Sequence, residues 1–565
     1  MQFSVWVFAP IIICSYYSFV CYRNVIKYGA FIVKVDNLDF GTEISNALCF
    51  AISKGYQIHP DAFEMLKGLD IDILRIIQDI IKAKVTSKDN SIILIEDIKM
   101  VVDKHSKNGE SQNQNSSCGK SSSLSSSSSS SLDLLHLRNS DTLEPVSYRV
   151  LLDPTPIINS GEGVEGYTSL FRSRYEKSMH ILSLRPDSRR ITRVKTLKKK
   201  KTDTGNQKPY MRYEQISGSP PTMVVAGLVM SRQFKRHGLE IMIDDFSGDL
   251  HAMGTTEDIK KKGSLITTDQ MVMLELENGR KSQSFVIKNI ISPDIPDHLP
   301  NRAKSESYVV LISDLHVGSK YFMETAFMKF LNWMSSADDE IVRKIKFLCI
   351  GGDLIDGIGI FPNQDKELLE LNINSQMSHV MDLLSRIPKH INVFVIPGNH
   401  DPGRRALPQP SIPRQNSEKL YTFQNFNMLG NPSLIELNGV KVLMYHGQGL
   451  DDIIGTIPDL SYAKPAEAMK VLLRARHLSP IYGERTPIAP EQEDHMVITE
   501  VPDIFHSGHI HVLDAQNYRG TLIVNSGTWQ GQTNFQRTMG IIPNPGVAVI
   551  VDLSTLQPFI MDFNQ

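Results

Sequence analysis

Polar residues follow apolar runs at regular places in the second half of the chain. Asp314 and His316 stand just after the run 308–312, Asp353 after 345–350, and Asn399 and His400 after 391–396. His446 follows 440–444, and His509 and His511 follow 504–505. All but His400 are ligand types for a pair of hard or borderline metal ions: carboxylate, imidazole and amide oxygen, with no thiolate. A dinuclear site made of such groups hydrolyses phosphate esters.

Each motif suggests a role. In the extended chain, alternation would point Asp314 and His316 to one side, and likewise His509 and His511, so that each pair can reach metal. Asp353, in the turn Gly351-Gly352-Asp353, is the expected bridge, because a carboxylate has two oxygens to share between two cations and an imidazole has one lone pair. Asn399 offers a neutral amide oxygen. His400 can leave the coordination sphere and face the scissile phosphate as acid or charge stabiliser, with Asp401 placed to orient its ring. Asp356 is expected behind the ligands or as a local turn former, and His506 as a satisfied structural histidine. Ordinary turn chemistry would explain any one motif alone; the ordered series carries the argument.

The elements that must position these groups form an α/β layered pattern over 301–565, with strand runs alternating with helical stretches such as 323–334 and 376–387. Open α/β sheets place their sites where strands hand over to loops, as here. Residues 147–300 read as a mostly β domain, with short runs at 223–230, 239–243 and 271–276 and turn signals at Ser247-Gly248-Asp249 and Asn278-Gly279. That spacing suits a small barrel such as an OB-fold, a single-strand nucleic-acid platform. A basic tract precedes its first run: Arg189, Arg190, Arg193, Lys195, Lys198, Lys199, Lys200 and Lys201. Such a tract is either solvated surface or a phosphate-contacting patch, and the adjacent barrel favours phosphate.

Upstream, 105–146 is polar and serine-rich, a composition that cannot bury a core and reads as a flexible tether. Residues 42–104 show helical periodicity, with a helix start at His59-Pro60-Asp61, and read as an interaction module. Residues 1–41 open with an uncharged stretch that lacks the basic n-region of a signal peptide. It reads as a membrane anchor, a buried or partner-bound extension, or residues preceding the true start.

The 565 residues, 41% apolar and 22% charged with a net charge of -2, are ordinary for a soluble multidomain protein. Five scattered cysteines without a CxxC pair argue against disulfides and zinc knuckles and for a reducing cytoplasm.

The ordered series D-x-H, G-D-x-x-D, G-N-H-D, H and G-H-x-H resembles that of the calcineurin-like metallophosphoesterases. The resemblance implies a β-sandwich flanked by helices and two divalent ions, manganese foremost, with iron or zinc as alternatives. It implies Asp314, His316 and His511 on one ion, Asn399, His446 and His509 on the other, Asp353 bridging, and His400 catalytic. A wider likeness, from about residue 42 onward, rests on Lys54-Gly55-Tyr56-Gln57-Ile58, 352–359, Tyr445-His446-Gly447, 480–483 with 486–490, and 524–530. There the chain resembles the small subunits of archaeal family D DNA polymerases.

That likeness implies a multidomain architecture of a helical module, a tether, an OB-fold and a phosphoesterase domain acting as a proofreading 3′→5′ exonuclease. It also implies a separate large polymerase subunit in a heterodimer or higher assembly, DNA as substrate, and a sliding clamp as a further candidate partner; no membrane role is expected. A scaffold that merely docks polymerase and DNA, and a free-standing phosphoesterase, are the competing readings. The complete ligand set speaks against the scaffold, and the barrel and basic tract speak against the free-standing enzyme.

Overall fold

The structure, a computed structural model, describes residues 26–28, 31–33, 57–58, 65–66, 73–87, 92–93, 97–99, 101, 146–203, 222–279 and 285–564. The chain divides into two compact units, Met1–Arg138 and Asn139–Gln565.

In the first unit the helix Ile73–Ser87 covers the periodic run near 71–81. Ile76, Ile77, Ile80 and Ile81 share one face and are buried with Leu66, Ile93, Ile98 and Val101. Two short pairings were not anticipated: Ile26–Tyr28 with Phe31–Val33, and Gln57–Ile58 with Ile92–Ile93. Apart from these and residue 146, the extension 1–41 and the tether 105–146 lie outside the described residues.

The second unit is built on two six-stranded sheets. One runs in the order Phe426–Met428, Asn392–Val395, Ile345–Ile350, Tyr308–Ile312, Val547–Asp552, Gln557–Asp562. Its first four strands are parallel and the last two antiparallel. The other runs Leu513–Tyr518, Thr521–Ser526, Ile504–Ser507, Val440–Tyr445, Ser433–Leu437, Tyr148–Leu152. Alternation divides each strand between two cores. Val309, Leu311, Phe347, Cys349 and Phe394 meet Val442, Met444, Ile504 and Val524 between the sheets. Val310, Ile312, Leu348, Ile350, Val393 and Val395 pack outward in one core with residues of the helices Glu324–Met334 and Ile373–Leu384. Leu443, Tyr445, Phe505 and Ile523 do the same with the helices Gly449–Thr456 and Pro465–Ala475. Burial on both faces is why these strands read as unbroken apolar runs.

Between the strand Tyr148–Leu152 and residue 300 lies a closed five-stranded barrel of Met223–Lys235, Gly238–Asp244, Asp249–Gly254, Met271–Asn278 and Phe285–Ile291. Two features correct the expected boundary at 147. Tyr148–Leu152 joins the second sheet, pairing antiparallel with Ser433–Leu437. It is an edge strand with Tyr148 and Val150 about two-fifths exposed, so it lacks the signature of a sandwich core. The helix Gly163–Ser183 then crosses from sandwich to barrel. Its buried Arg174 gives Nε–H to Asp494 Oδ2 (2.7 Å) and Nη1–H to the carbonyls of Pro480 (2.6 Å) and Asp269 (3.1 Å). Among the described residues no helix is long and apolar enough to cross a membrane.

Candidate metal centre

The candidate ligands sit past the ends of their strands, several of them in left-handed turns. Asp314 (φ 56°) and His316 (φ 51°) follow Tyr308–Ile312, Asp353 (φ 53°) follows Ile345–Ile350, and His509 (φ 70°) and His511 (φ 65°) follow Ile504–Ser507. Each such non-glycine residue costs about 1–3 kcal/mol, which the surrounding packing must offset. The extended alternation expected for 314/316 and 509/511 is thereby corrected: the ladder has ended, and paired positive-φ turns aim the side chains. Asp314 N–H donates to the Gly352 carbonyl (2.9 Å) and His316 N–H to that of Asp353 (3.1 Å), binding the first two turns together. Gly352 (φ 96°) and Gly398 let the second and third turns touch; a Cβ on Gly398 would collide with the Asp353 carboxylate.

These turns gather the groups Asp314/His316/His511 and Asp353/His446/His509, with ligand atoms within 4.8 Å of one another in each, and His316, Asp356 and His400 form a third, overlapping group. His511 Nε2 lies 3.3 Å from Asp314 Oδ1 and 3.0 Å from His316 Nε2. His446 Nε2 lies 3.2 Å from Asp353 Oδ2 and 3.1 Å from Asn399 Oδ1. Asp353 Oδ2 is also 3.8 Å from His316 Nε2, between the two groups. His400 stands at the edge, its Nε2 4.0 Å from Asp353 Oδ2.

Partners behind the ligands fix which imidazole nitrogen faces inward. His316 Nδ1 bonds Asp356 Oδ1 (3.0 Å), His446 Nδ1 the Gly351 carbonyl (2.8 Å), and His400 Nδ1 the Asp356 carbonyl (2.6 Å). Each acceptor holds the proton on Nδ1 and leaves the Nε2 lone pair for the cleft. His509 is turned the other way: Asp451 Oδ2 takes its Nε2 (3.0 Å), so Nδ1 is the nitrogen available to an ion.

The residues fit bound metal cations. Asp314 Oδ1 is buried without a hydrogen-bond partner, and the Nε2 atoms of His316 and His511 confront each other across 3.0 Å. Burial opposes ionisation of Asp314 and Asp353, yet neighbouring imidazoles, His511 for Asp314 and His446 for Asp353, hold both carboxyls below their ordinary range. Burial likewise opposes charge on His316 and His446, but the surrounding carboxylates outweigh it, taking them to about 10 and about 9. The carboxylates thus demand positive charge, which protons or metal ions can supply.

Of the residues expected behind the ligands, Asp356 is in place, braced by Gln364 and Gln530. Asp401 is not on His400. It accepts the backbone N–H groups of Leu354 (2.9 Å), Ile355 (3.3 Å) and Gly398 (2.9 Å), tying the second turn to the third, while burial and the Asp353 charge raise its pKa to about 7. His506 is buried, held by Ser526 Oγ on Nε2 (3.1 Å) with no hydrogen-bond partner at Nδ1, so it is only half satisfied. Sequence reasoning missed Asp451, whose place in the first turn of Gly449–Thr456 resembles ordinary helix-dipole complementation. It also missed Gln536, 2.6 Å from His511 Nδ1, which reads in sequence only as part of a capping box.

The basic tract is attached to the barrel: Val194 and Leu197 enter its core, Arg193 donates to the Asp245 carbonyl (3.3 Å), and Lys198 pairs with Asp249 (3.3 Å). Arg190, Arg193, Lys195 and Lys198 are exposed; the side chains of Arg189, Lys199, Lys200 and Lys201 lie outside the described residues.

The family profile of the B subunit of DNA polymerases alpha and epsilon matches residues 309–511, the span from just before Asp314 to His511. The DNA polymerase II small subunit of Methanothermobacter thermautotrophicus is 35% identical over 407 residues, covering 70% of this chain and 79% of that protein. The chain belongs to the DNA polymerase II small-subunit family. The Pyrococcus furiosus member is 36% identical over 425 residues, which are 72% of this chain. The chain spans 66% of that member's length. Among solved structures, an archaeal phosphodiesterase is 13% identical with a TM-score of 0.25, covering 45% of this chain and 98% of its own, a likeness that adds nothing to the reading of the site. In this small-subunit family member, every residue of the grouped ligand types lies within the matched span 309–511.

Proposed function

We propose that this chain is the proofreading subunit of a two-subunit DNA polymerase, a metal-dependent 3′→5′ exodeoxyribonuclease of the calcineurin-like class that works with a separate large polymerase subunit in the cytoplasm. The observation that carries the reading is the pair of largely buried carboxylate and imidazole groups sharing one wall at Asp353. Asp314, His316 and His511 would hold one divalent ion, and Asn399, His446 and His509 the other, with Asp353 between; manganese is the first candidate, iron or zinc the alternatives. When bound, such ions supply charge stabilisation at the phosphoryl oxygens and a nucleophilic water at neutral pH.

The chain's own residues do the rest. Asp356 and Asp451 hold the rings of His316 and His509, Asp401 locks the turns, and Asn399 presents its amide oxygen beside His446. Burial, outweighing the pull of Asp353, keeps His400 below its ordinary pKa. With Nδ1–H committed to the Asp356 carbonyl, Nε2 faces the cleft as a lone pair that takes up a proton, and only the imidazolium so formed can pass one to the departing 3′-oxygen or donate a hydrogen bond to a phosphate oxygen. The five-stranded barrel, read as an OB-fold, and the basic residues docked on it would track the strand.

Digestion of 3′- and 5′-labelled single-stranded and mispaired primer DNA in manganese, by wild type and Asp353→Ala, with and without the large subunit, tests this. Loss of 3′-terminal nucleotides in wild type only is the expected result. A metal-loaded, intact assembly that shortens neither end refutes it.

A further inference from the structure

Two segments leaving the metal centre carry exposed apolar side chains that its chemistry does not use. One continues from Asp356 and bears Ile358, 38% exposed, and the half-buried Phe361. The other is the helix Asn534–Thr538 with the residues after it, where Phe535 is 53%, Met539 42% and Ile542 77% exposed. Phe361 and Phe535 stack across the gap, ring centroids 5.9 Å apart and planes inclined by 28°.

Both rings ride on the groups that hold the site histidines. Phe535 precedes Gln536, whose amide touches His511. Phe361 is five residues past Asp356, which bonds His316 and His400. Gln364 fastens that loop, meeting the Asp356 carbonyl (2.7 Å) and carboxylate (2.9 Å) and accepting Ile360 N–H (2.9 Å). A capping box between Thr533 and Gln536 fixes the helix, and Asn534 bonds Glu367 Oε1 (2.9 Å). The pair is thus fixed on segments that adjoin a centre suited to a phosphodiester, Phe535 next in sequence to Gln536 on His511 and Phe361 on the loop that Gln364 ties to Asp356.

We propose that Phe361 and Phe535 form a stacking platform for the unpaired terminal base of a strand whose last phosphodiester occupies the metal centre, a reading that rests on the proposed nuclease. A flat aromatic pair accepts every base, because every base has a π face. The five apolar side chains involved are few beside the roughly 20–30 residues that each side of a stable protein interface contributes. A paired terminus would have to open before its base could stack, so frayed or mispaired ends are selected.

The test uses the full chain in manganese and an oligonucleotide whose terminal 3′ linkage is a non-hydrolysable methylenephosphonate, with 2-aminopurine as the terminal base. Wild type is expected to quench the probe on binding. Phe535→Ala should restore fluorescence and weaken binding about tenfold, the size expected for one base–aromatic stack, whereas Phe535→Tyr should behave as wild type. Equal quenching and affinity in wild type and Phe535→Ala overturns the platform, as does quenching from a 5′-terminal probe only. An unquenched wild-type complex, with Phe535→Ala instead losing a protein partner, reassigns the patch and overturns it as well. Because this readout needs no cleavage, failure of the nuclease assay and failure of the platform are separate results.

Discussion

Replacing Arg174 by methionine should destabilise the second unit in a way that depends on pH. The guanidinium is 1% exposed and bonds the fully buried carboxylate of Asp494, whose Oδ2 also meets His477 Nε2 at 3.0 Å. Burial would raise the Asp494 pKa, but His477 and Arg174 together hold it far below the carboxylate range. His477 itself is lowered to about 4, by burial first and by the Arg174 charge second, against the pull of Asp494. It is neutral in the native protein, accepting Ser479 N–H on Nδ1 (3.1 Å). Removing one partner of a buried pair typically costs about 3–5 kcal/mol, and a methionine that keeps the stem should fall at the low end near neutral pH.

The sign with pH is fixed by the direction of the shift. A histidine depressed from 6.5 to about 4 contributes stability that is fully present above its unfolded pKa and lost as pH falls through the folded one, about 3 kcal/mol in all. In Arg174→Met the repelling cation is gone, and His477 can take up a proton as the counter-ion of Asp494. Its folded pKa rises, so the penalty should be largest near pH 8 and shrink toward pH 5. Urea unfolding of both proteins across that range measures this. A penalty below about 1 kcal/mol at pH 8, or one that grows on acidification, would refute the reasoning.

Three further outcomes concern the centre. His400→Ala should keep its metal content by elemental analysis and lose about 10²–10⁴-fold in turnover; loss of metal would contradict its place outside the ligand set. Asp451→Ala, which frees His509 Nε2, should weaken metal binding about 10–100-fold by competition with a chelator, and unchanged affinity would remove Asp451 from the site. Gly398→Ala drives a methyl into the Asp353 carboxylate and should abolish metal loading while the protein remains folded, with circular dichroism and metal analysis as the paired measurements.

The family, the two-sheet layering and the residues that come together past the strand ends were legible in the sequence, for one physical reason. A strand buried on both faces writes an unbroken apolar run, and the polar residue that ends it, as in Ile312-Ser313-Asp314 or Ile350-Gly351-Gly352-Asp353, marks both the strand end and the site. The ladder itself misled where it stopped: Asp314, His316, His509 and His511 are aimed by left-handed turns, which only the packed neighbours stabilise. Contacts between distant segments carry no local signature, so Asp451 behind His509, Gln536 behind His511 and Asp401 on the backbone of two turns emerged only from the fold. The same holds for Tyr148–Leu152, a half-exposed edge strand whose partner lies nearly 300 residues away, and for Arg174, whose buried charge is tolerable only where helix, barrel loop and sandwich converge on it. Local pattern determined which residues could bind metal; tertiary packing decided which nitrogen, which turn and which neighbour each of them presents.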